Sequence, residues 1–363
     1  MENAVSSFDL AIIGGGPAGA AAAITAARLG AMVAIFEAGE FPRQKVCGEF
    51  VSAESLNLLR HLWRDSSEAE RVIQRAPIVD TVRLFLGGRT IRSSFSPPAL
   101  SIPRFDLDHL LWDAAKQAGA HTHSNCEVRN IAGDGPFVLD TANHSVSARA
   151  VIMAAGRWSR FRPETPVPYG PKWIGVKAHF RESACATSTD LYFFDHGYCG
   201  VQPVANDVVN TCAMVRSDRA KTLPAVLALH KALVERSRSW KLLTEPVATA
   251  PLVFRKPEPV RGNIIFVGDA AAFVDPFVGD GISLALRSGS LAASVVIVKL
   301  QHGGPVSSAI RAYERCYLEN FEPIMRTASR IRMLLNAPIA LRTLVFSLSR
   351  APGVIPHLIR RTR

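Results

Sequence analysis

The sequence predicts an α/β fold: a parallel sheet started by a βαβ unit, a smaller antiparallel sheet inserted into it, and a helical C-terminal tail. Three observations carry this. The apolar run Phe8 to Ile13 ends in Gly14-Gly15-Gly16-Pro17-Ala18-Gly19 and is followed by an Ala-rich stretch and a second apolar run, Ala31 to Phe36. Between Lys172 and Val215 apolar and polar residues alternate in short runs separated by Gly, Asp and Asn. Asn263 to Val267 then returns to a buried-strand pattern that leads into a long helical one. Strand, tight turn, helix and strand make the first segment a Rossmann-like unit, because a strand buried on both faces reads as a continuous apolar run. Period-two alternation marks the middle segment as a sheet with one packed face.

Taken in order, Pro17 suits the first turn of the first helix, where its missing N–H costs no hydrogen bond, and Gly30 suits the helix stop. Leu84 to Ser93 reads as two strands around Gly87-Gly88, and Arg104 to Gln117 as a helix stopped at Gly119. A strand is expected at Ala148 to Ala154 and a long helix at Ile282 to Leu300. From Val306 onward the pattern is helical with breaks expected at Pro323, Pro338, Pro352 and Pro356. The first sheet is therefore assigned to 1–75, 100–165 and 256–300, the inserted sheet to 76–99 and 166–255, and the tail to 301–363.

The chain has 363 residues, 48% hydrophobic and 20% charged, enough for a substantial core and outside the composition of disordered chains. No uninterrupted apolar run of about 20 residues suggests a membrane span. The net charge of +11 is concentrated at one end: Arg326 to Arg363 holds eight Arg and no Lys, Asp or Glu, so the remainder carries +3. Six scattered Cys with no CxxC pair suggest neither a disulfide framework nor a zinc site, and a cytoplasmic protein is expected. His121-x-His123 on one strand is too small a donor set for a metal.

Gly14-x-Gly16-x-x-Gly19 follows a strand, opens a helix and precedes Glu37 at the end of the next strand. Gly14 allows the tight turn, Gly16 the approach of a pyrophosphate, and Gly19 close helix–strand packing. The helix start at Pro17 and Ala18 supplies partial positive charge to a phosphate. Glu37 suits ribose hydroxyls and would repel a 2′-phosphate, which favours FAD or NAD over NADP.

Ile264-Ile265-Phe266-Val267-Gly268-Asp269 and Asp275-Pro276-Phe277-Val278-Gly279-Asp280-Gly281, with the helix starting near Ile282, resemble FAD-dependent oxidoreductases of the p-hydroxybenzoate hydroxylase superfamily. Within it, the chain most resembles the geranylgeranyl reductase family, with flavin-dependent halogenases more distant. The resemblance implies FAD, with Gly268 and Asp269 at its ribityl and phosphate portion and the loop Pro276, Gly279, Gly281 and Ile282 along the isoalloxazine. Arg104-x-x-Leu107-Asp108 is similar to a family helix start whose Arg lies near the flavin. Phe41-Pro42-Arg43-Gln44-Lys45-Val46-Cys47-Gly48-Glu49 is similar to a family loop whose Cys-Gly pair, here Cys47 and Gly48, sits by the isoalloxazine. Arg43 and Lys45 beside Cys47 would favour its thiolate.

Two departures shape the expected activity. At Ala154-Ala155-Gly156, Ala155 stands where many hydroxylases have an Asp tied to flavin and nicotinamide binding, which implies an external electron donor. Tyr198-Cys199-Gly200-Val201-Gln202-Pro203 aligns with the Tyr-x-Trp-x-Phe-Pro motif of polyprenyl reductases, with Gly200 and Gln202 replacing two aromatics. Trp158 and Trp173 are isolated and expected in the core. The expected activity is reduction or dehydrogenation of a carbon–carbon bond in a hydrophobic lipid, prenyl or polyketide-like molecule, with Cys47 and Tyr198 as catalytic candidates. A flavin monooxygenase and a catalytically silent flavin-bearing lipid or carrier-binding protein are the alternatives. The basic tail suits an anionic membrane, an acidic acyl carrier or a solvated cover. No recognition motif supports nucleic acid.

Overall fold

The computed structural model describes residues 6–157, 161, 171–183 and 185–335. The first stretch holds β1 (Ser6–Ile13), α1 (Pro17–Arg28), β2 (Val33–Phe36), β3 (Phe50–Val51), α2 (Ala53–Leu62), α3 (Ser67–Arg75), β4 (Ile78–Leu86), β5 (Arg89–Ser101) and α4 (Arg104–Gln117). Then follow β6 (His121–His123), β7 (Asn130–Ala132), β8 (Phe137–Asp140), β9 (Ser145–Met153), β10 (Trp173–Arg181), β11 (Ser188–Phe194), β12 (Gly197–Ala205) and β13 (Val208–Arg216). The last are α5 (Leu223–Leu227), α6 (Lys231–Ser237), β14 (Lys241–Leu242), β15 (Val247–Thr249), β16 (Val260–Arg261), β17 (Ile264–Phe266), α7 (Gly281–Gln301) and α8 (Val306–Leu335).

The first sheet has the order β16-β17-β9-β1-β2-β6, with the β7–β8 hairpin on β9. Strands β17, β9, β1, β2 and β6 run parallel. Residues 10–13 of β1 and all of β2 are buried, as a doubly covered parallel strand requires. Helix α1 packs on β1 and β2, with α4 and α7 against it. It closes with the expected glycine: Gly30 has φ 82, its N–H bonds the Ala27 carbonyl, and the Ala31 N–H bonds that of Ala26, a Schellman stop.

The second sheet runs β14-β10-β13-β12-β11-β4-β5-β3, with β15 also on β10. It is antiparallel except where β4 runs parallel to β11, so the expected all-antiparallel layer is mixed at that seam. Strands β4 and β5 turn at Gly87-Gly88, both at positive φ (56 and 74), the conformation of a two-residue hairpin. Phe50–Val51 pairs with β5 and so joins this sheet, although it lies in the segment expected to build the first. Trp173 packs beside the cluster of Leu191, Phe193, Tyr198 and Met214, and Trp158 lies outside the described residues.

One expectation about the helices is corrected. Pro323 does not end α8: the helix continues through it to Leu335, with the Thr327 hydroxyl bonding the Pro323 carbonyl and buried Tyr317, Phe321, Ile324 and Met325 anchoring both sides. The other three Pro lie outside the described residues. Helix α7 is long and apolar enough to cross a membrane by length and composition, although Arg287 and Lys299 interrupt its apolar run. In the fold it is a core helix packed by α1, α2 and α8.

Candidate functional site

The turn between β1 and α1 reverses in three residues and shows why each glycine is there. Gly14 has φ 107, and a Cβ on it would lie 2.5 Å from the Ala154 carbonyl oxygen. A Cβ on Gly19 would lie 1.9 Å from the Gly14 oxygen, so this glycine lets helix and turn touch. A Cβ on Gly16 would meet nothing within 4 Å and would enter open space. Glu37 braces the turn: one carboxylate oxygen accepts the Gly15 N–H at 2.8 Å, the other the Gly39 N–H at 3.0 Å and the Arg43 guanidinium at 2.7 Å. Burial pushes its pKa up, but the Arg43 bond and charge hold it below the usual carboxylate range. The anion has about four acceptor positions, so room remains for a hydroxyl.

A cavity of about 1100 Å³ opens where β1, β2 and β9 end and α7 begins, the C-terminal edge at which α/β sheets bind ligands. Its walls include Gly14, Gly16, Pro17, Ala18, Glu37, Arg43, Cys47, Gly48, Arg104, Gly156, Tyr198, Gly268, Asp269, Pro276, Gly279, Gly281 and Ile282. Of the cofactor and catalytic candidates named from sequence, Gly19 alone stands behind the wall, in the packing role just described. The cavity continues onto the second sheet, where Val82, Leu84, Phe95, Leu191, Phe193 and Met214 make an apolar chamber. Single small-molecule sites span roughly 300–1,000 Å³, so the volume suits a large cofactor with a second ligand.

Cys47 is held differently from expectation. Arg43 turns to Glu37, and it is the Arg104 guanidinium that lies against the Cys47 sulfur. Asp108 is fully buried and accepts both arms of Arg104 at 2.6 and 2.7 Å. Burial disfavours the Arg104 charge, but Asp108 and Cys47 raise its pKa above the ordinary value. The Cys47 sulfur also accepts the Glu49 N–H at 3.3 Å.

Tyr198 is buried between Phe193 and Phe277, and its hydroxyl donates to Asp275 Oδ1 at 3.4 Å. Burial raises the phenol far above its usual pKa and raises that of Asp275 too. Asp275 Oδ1 also accepts the Phe277 N–H, while Oδ2 is buried without a hydrogen-bond partner. Gln202, which stands where the resembled motif has an aromatic, is held by the sheet: Nε2 donates to Ser101 Oγ at 2.7 Å and Oε1 accepts from Thr189 at 2.8 Å.

Among the wall residues that sequence reasoning gave no role are three polar ones, Arg157, Asn210 and Gln44. Arg157 approaches Asp269 at 3.6 Å and lies over the Phe273 ring at 4.3 Å. Asn210 donates to the Cys47 carbonyl at 3.0 Å, and Gln44 accepts from Lys177 at 2.8 Å. For Arg157 the adjacent Gly156, at φ 69, was the available signal; Asn210 and Gln44 carried none. His123, by contrast, stacks on Phe36 at 4.8 Å as a packing ring.

The FAD binding domain family matches residues 7–316. The chain is 26% identical over 358 residues to menaquinone reductase of Mycolicibacterium smegmatis, covering 91% of this chain and 85% of the relative. It is 27% identical to digeranylgeranylglycerophospholipid reductase 2 of Methanopyrus kandleri, covering 86% and 83%. Among solved structures it resembles a flavin-dependent brominase, with TM-score 0.81 and 19% identity over 98% of this chain and 93% of the other. The site fits the cofactor. Gly16, Gly48, Gly156 and Gly281 leave the wall open where a Cβ would intrude, and Arg43 Nε, Arg157 Nη1 and Asn210 Oδ1 are buried polar atoms on wall residues without protein hydrogen-bond partners. A polar dinucleotide with an aromatic head supplies what such walls ask for. The chain belongs to the FAD-binding domain family and is an FAD-dependent oxidoreductase.

Proposed function

We propose that this protein reduces or dehydrogenates a carbon–carbon bond of a hydrophobic small molecule. The observation that carries the reading is the continuity of the cavity from the glycine turn to the apolar chamber on the second sheet. The reductase relatives, named for a quinone and for a geranylgeranyl lipid, support it. FAD supplies hydride transfer when bound, and the chain's own residues do the rest.

Gly14, Gly16 and the first turn of α1 at Pro17 and Ala18 would hold the pyrophosphate, Glu37 and Arg43 the ribose side. Gly156, Gly268 and Asp269 would hold the ribityl portion, and Pro276, Gly279, Gly281 and Ile282 the isoalloxazine edge, where the α7 N-terminus favours negative charge. Gly48 and Arg104 would face the same ring. Cys47 would hold or release a proton at Sγ, and Tyr198, backed by Asp275, would orient a polar group of the substrate. Val82, Leu84, Phe95 and Leu191 exclude water from the chamber.

Arg342, Arg350, Arg360 and Arg361 lie outside the described residues, and contact of the basic tail with an anionic membrane or acidic carrier is a proposal that salt-dependent pelleting with anionic liposomes tests. The activity is tested by extracting purified protein and identifying copurified apolar compounds by mass spectrometry. Each is then added anaerobically to the reduced holoprotein. Return of the oxidised flavin spectrum with saturation of the compound supports the reading. Reoxidation that needs O₂ and places one of its atoms in the product installs a monooxygenase, and no ligand-dependent reoxidation leaves a silent binding protein.

A further inference from the structure

Behind the Cys47 segment lies a buried charge cluster for which hydride transfer has no evident use. Glu49 is fully buried and sits at φ 62, a left-handed backbone that a glutamate adopts only when its surroundings impose it. One carboxylate oxygen accepts Lys177 Nζ at 2.5 Å and the Arg104 backbone N–H at 2.9 Å; the other pairs with His179 Nε2 at 2.7 Å. Lys177 and His179 are 1% and 6% exposed, and Lys177 also reaches Gln44 at 2.8 Å. Two residues away, Asn210 of β13 grips the Cys47 carbonyl, and the Glu49 N–H points at the Cys47 sulfur. Burial pushes the Glu49 pKa up, but the His179 bond and the Lys177 charge hold it below the usual range, so the group is an anion. Its other charged neighbour is Asp106 of α4.

We propose that Glu49 is the positioning residue of the Cys47 segment: Lys177 and His179 of β10 and the start of α4 clamp its carboxylate, and the clamp fixes Cys47 against Arg104 at the cavity wall. The proposal rests on the reading of Cys47 as a group that faces the flavin. Charge alone would not require this arrangement, since an apolar pair at 49 and 177 would fill the same interior at no electrostatic cost. What the carboxylate adds is direction: three donors from two elements determine one backbone conformation, and that conformation carries the thiol.

The test compares FAD-loaded wild type, Glu49→Gln and the charge-neutral pair Glu49→Gln with Lys177→Met. Thermal unfolding, hydrogen exchange across residues 44–50 and the midpoint potential of the bound flavin are read for each. Glu49→Gln alone leaves a buried ammonium without its anion, and loss of folding there is expected to be relieved in the pair. Restored unfolding temperature with exchange across 44–50 still at least tenfold faster than wild type, and a displaced flavin potential, support the clamp. Wild-type exchange in the pair overturns it and leaves the cluster a charge-balanced core feature. Should the pair not fold, His179→Gln, which alters one of the three clamp contacts and keeps the Glu49–Lys177 pair, carries the same exchange test. Cys47→Ser separates the two readings: an unmoved potential and turnover remove Cys47 from the flavin reaction, while the exchange result still decides the clamp.

Discussion

Gly16 and Gly19 are the same residue type three positions apart, yet they answer to different constraints, which substitution separates. Gly16→Val puts a branched side chain into open cavity, so the protein should elute without FAD absorbance and unfold at the temperature of FAD-stripped wild type. Gly19→Ala forces a methyl to within 1.9 Å of the Gly14 oxygen, so it should lose about 1–3 kcal/mol of stability by overpacking before any effect on cofactor is read. Asp275 gives a residue-scale test in pH. Its folded pKa is raised, so the folded state binds its proton more tightly than the unfolded chain does, and its contribution is full below the unfolded pKa and lost as pH rises through the folded one. Asp275→Asn keeps the neutral shape and should unfold later than wild type near pH 7, the difference vanishing toward about pH 4, where the unfolded aspartate also protonates. A difference that grows toward acid would contradict the sign. The glycines were legible in the sequence because their constraint is on the backbone, and backbone constraints follow local order. Glu49, Lys177 and His179 were not, because 128 residues separate the first two. Lys177 and His179 fit the polar half of an alternating strand, and nothing in that alternation says which face meets solvent.

Helices α1 and α7 meet backbone to backbone, and this contact sets the shape of the cofactor turn. A Cβ on Gly289 of α7 would stand 2.0 Å from the Ala18 oxygen, in the first turn of α1 that follows the glycine loop. Gly289→Ala should therefore do two things at once: destabilise by about 1–3 kcal/mol, read by thermal unfolding, and weaken FAD retention, read by cofactor release on dilution, because α1 must shift with its N-terminus. Retained FAD with lowered stability would mean that the turn is held by β1 and Glu37 alone. Element types and order could be read from period and punctuation, as at α4, whose range Arg104–Gln117 is the one expected. Element ends fixed by tertiary contact could not. Pro323 marks a break by local rule, but the buried aromatic face of α8, with Arg287 of α7 over the Phe321 ring at 5.3 Å, outweighs the lost hydrogen bond. The apolar length that lets α7 pass for a membrane span is the same apolarity that buries it among three helices.

At the scale of the molecule, two sheets share one cavity: the first ends at the cofactor turn, the second forms the apolar chamber, and the 44–49 segment runs between them. The proposed reading carries an expectation about the electron donor. The resemblance to hydroxylases implies an acid, tied to nicotinamide binding, at the position held here by Ala155, a wall residue with no charge to offer. Three of the wall cations already sit in ion pairs, Arg43 with Glu37, Arg104 with Asp108 and Arg157 with Asp269. The holoprotein should therefore be reduced slowly by NADPH, at a rate that addition of hydrophobic substrate does not change, and rapidly by dithionite or a small reduced mediator dye. Stopped-flow loss of the oxidised flavin band under anaerobic conditions measures both. The decisive comparison is Ala155→Asp, which restores the acid without adding bulk beyond a carboxylate at the cavity edge. If the missing acid is what limits nicotinamide reduction, this variant should accelerate NADPH reduction at least tenfold while mediator reduction stays as it was. Fast, substrate-stimulated NADPH reduction in the unmodified protein would show instead that the cavity accommodates a nicotinamide by another route, and would return the monooxygenase alternative to the front.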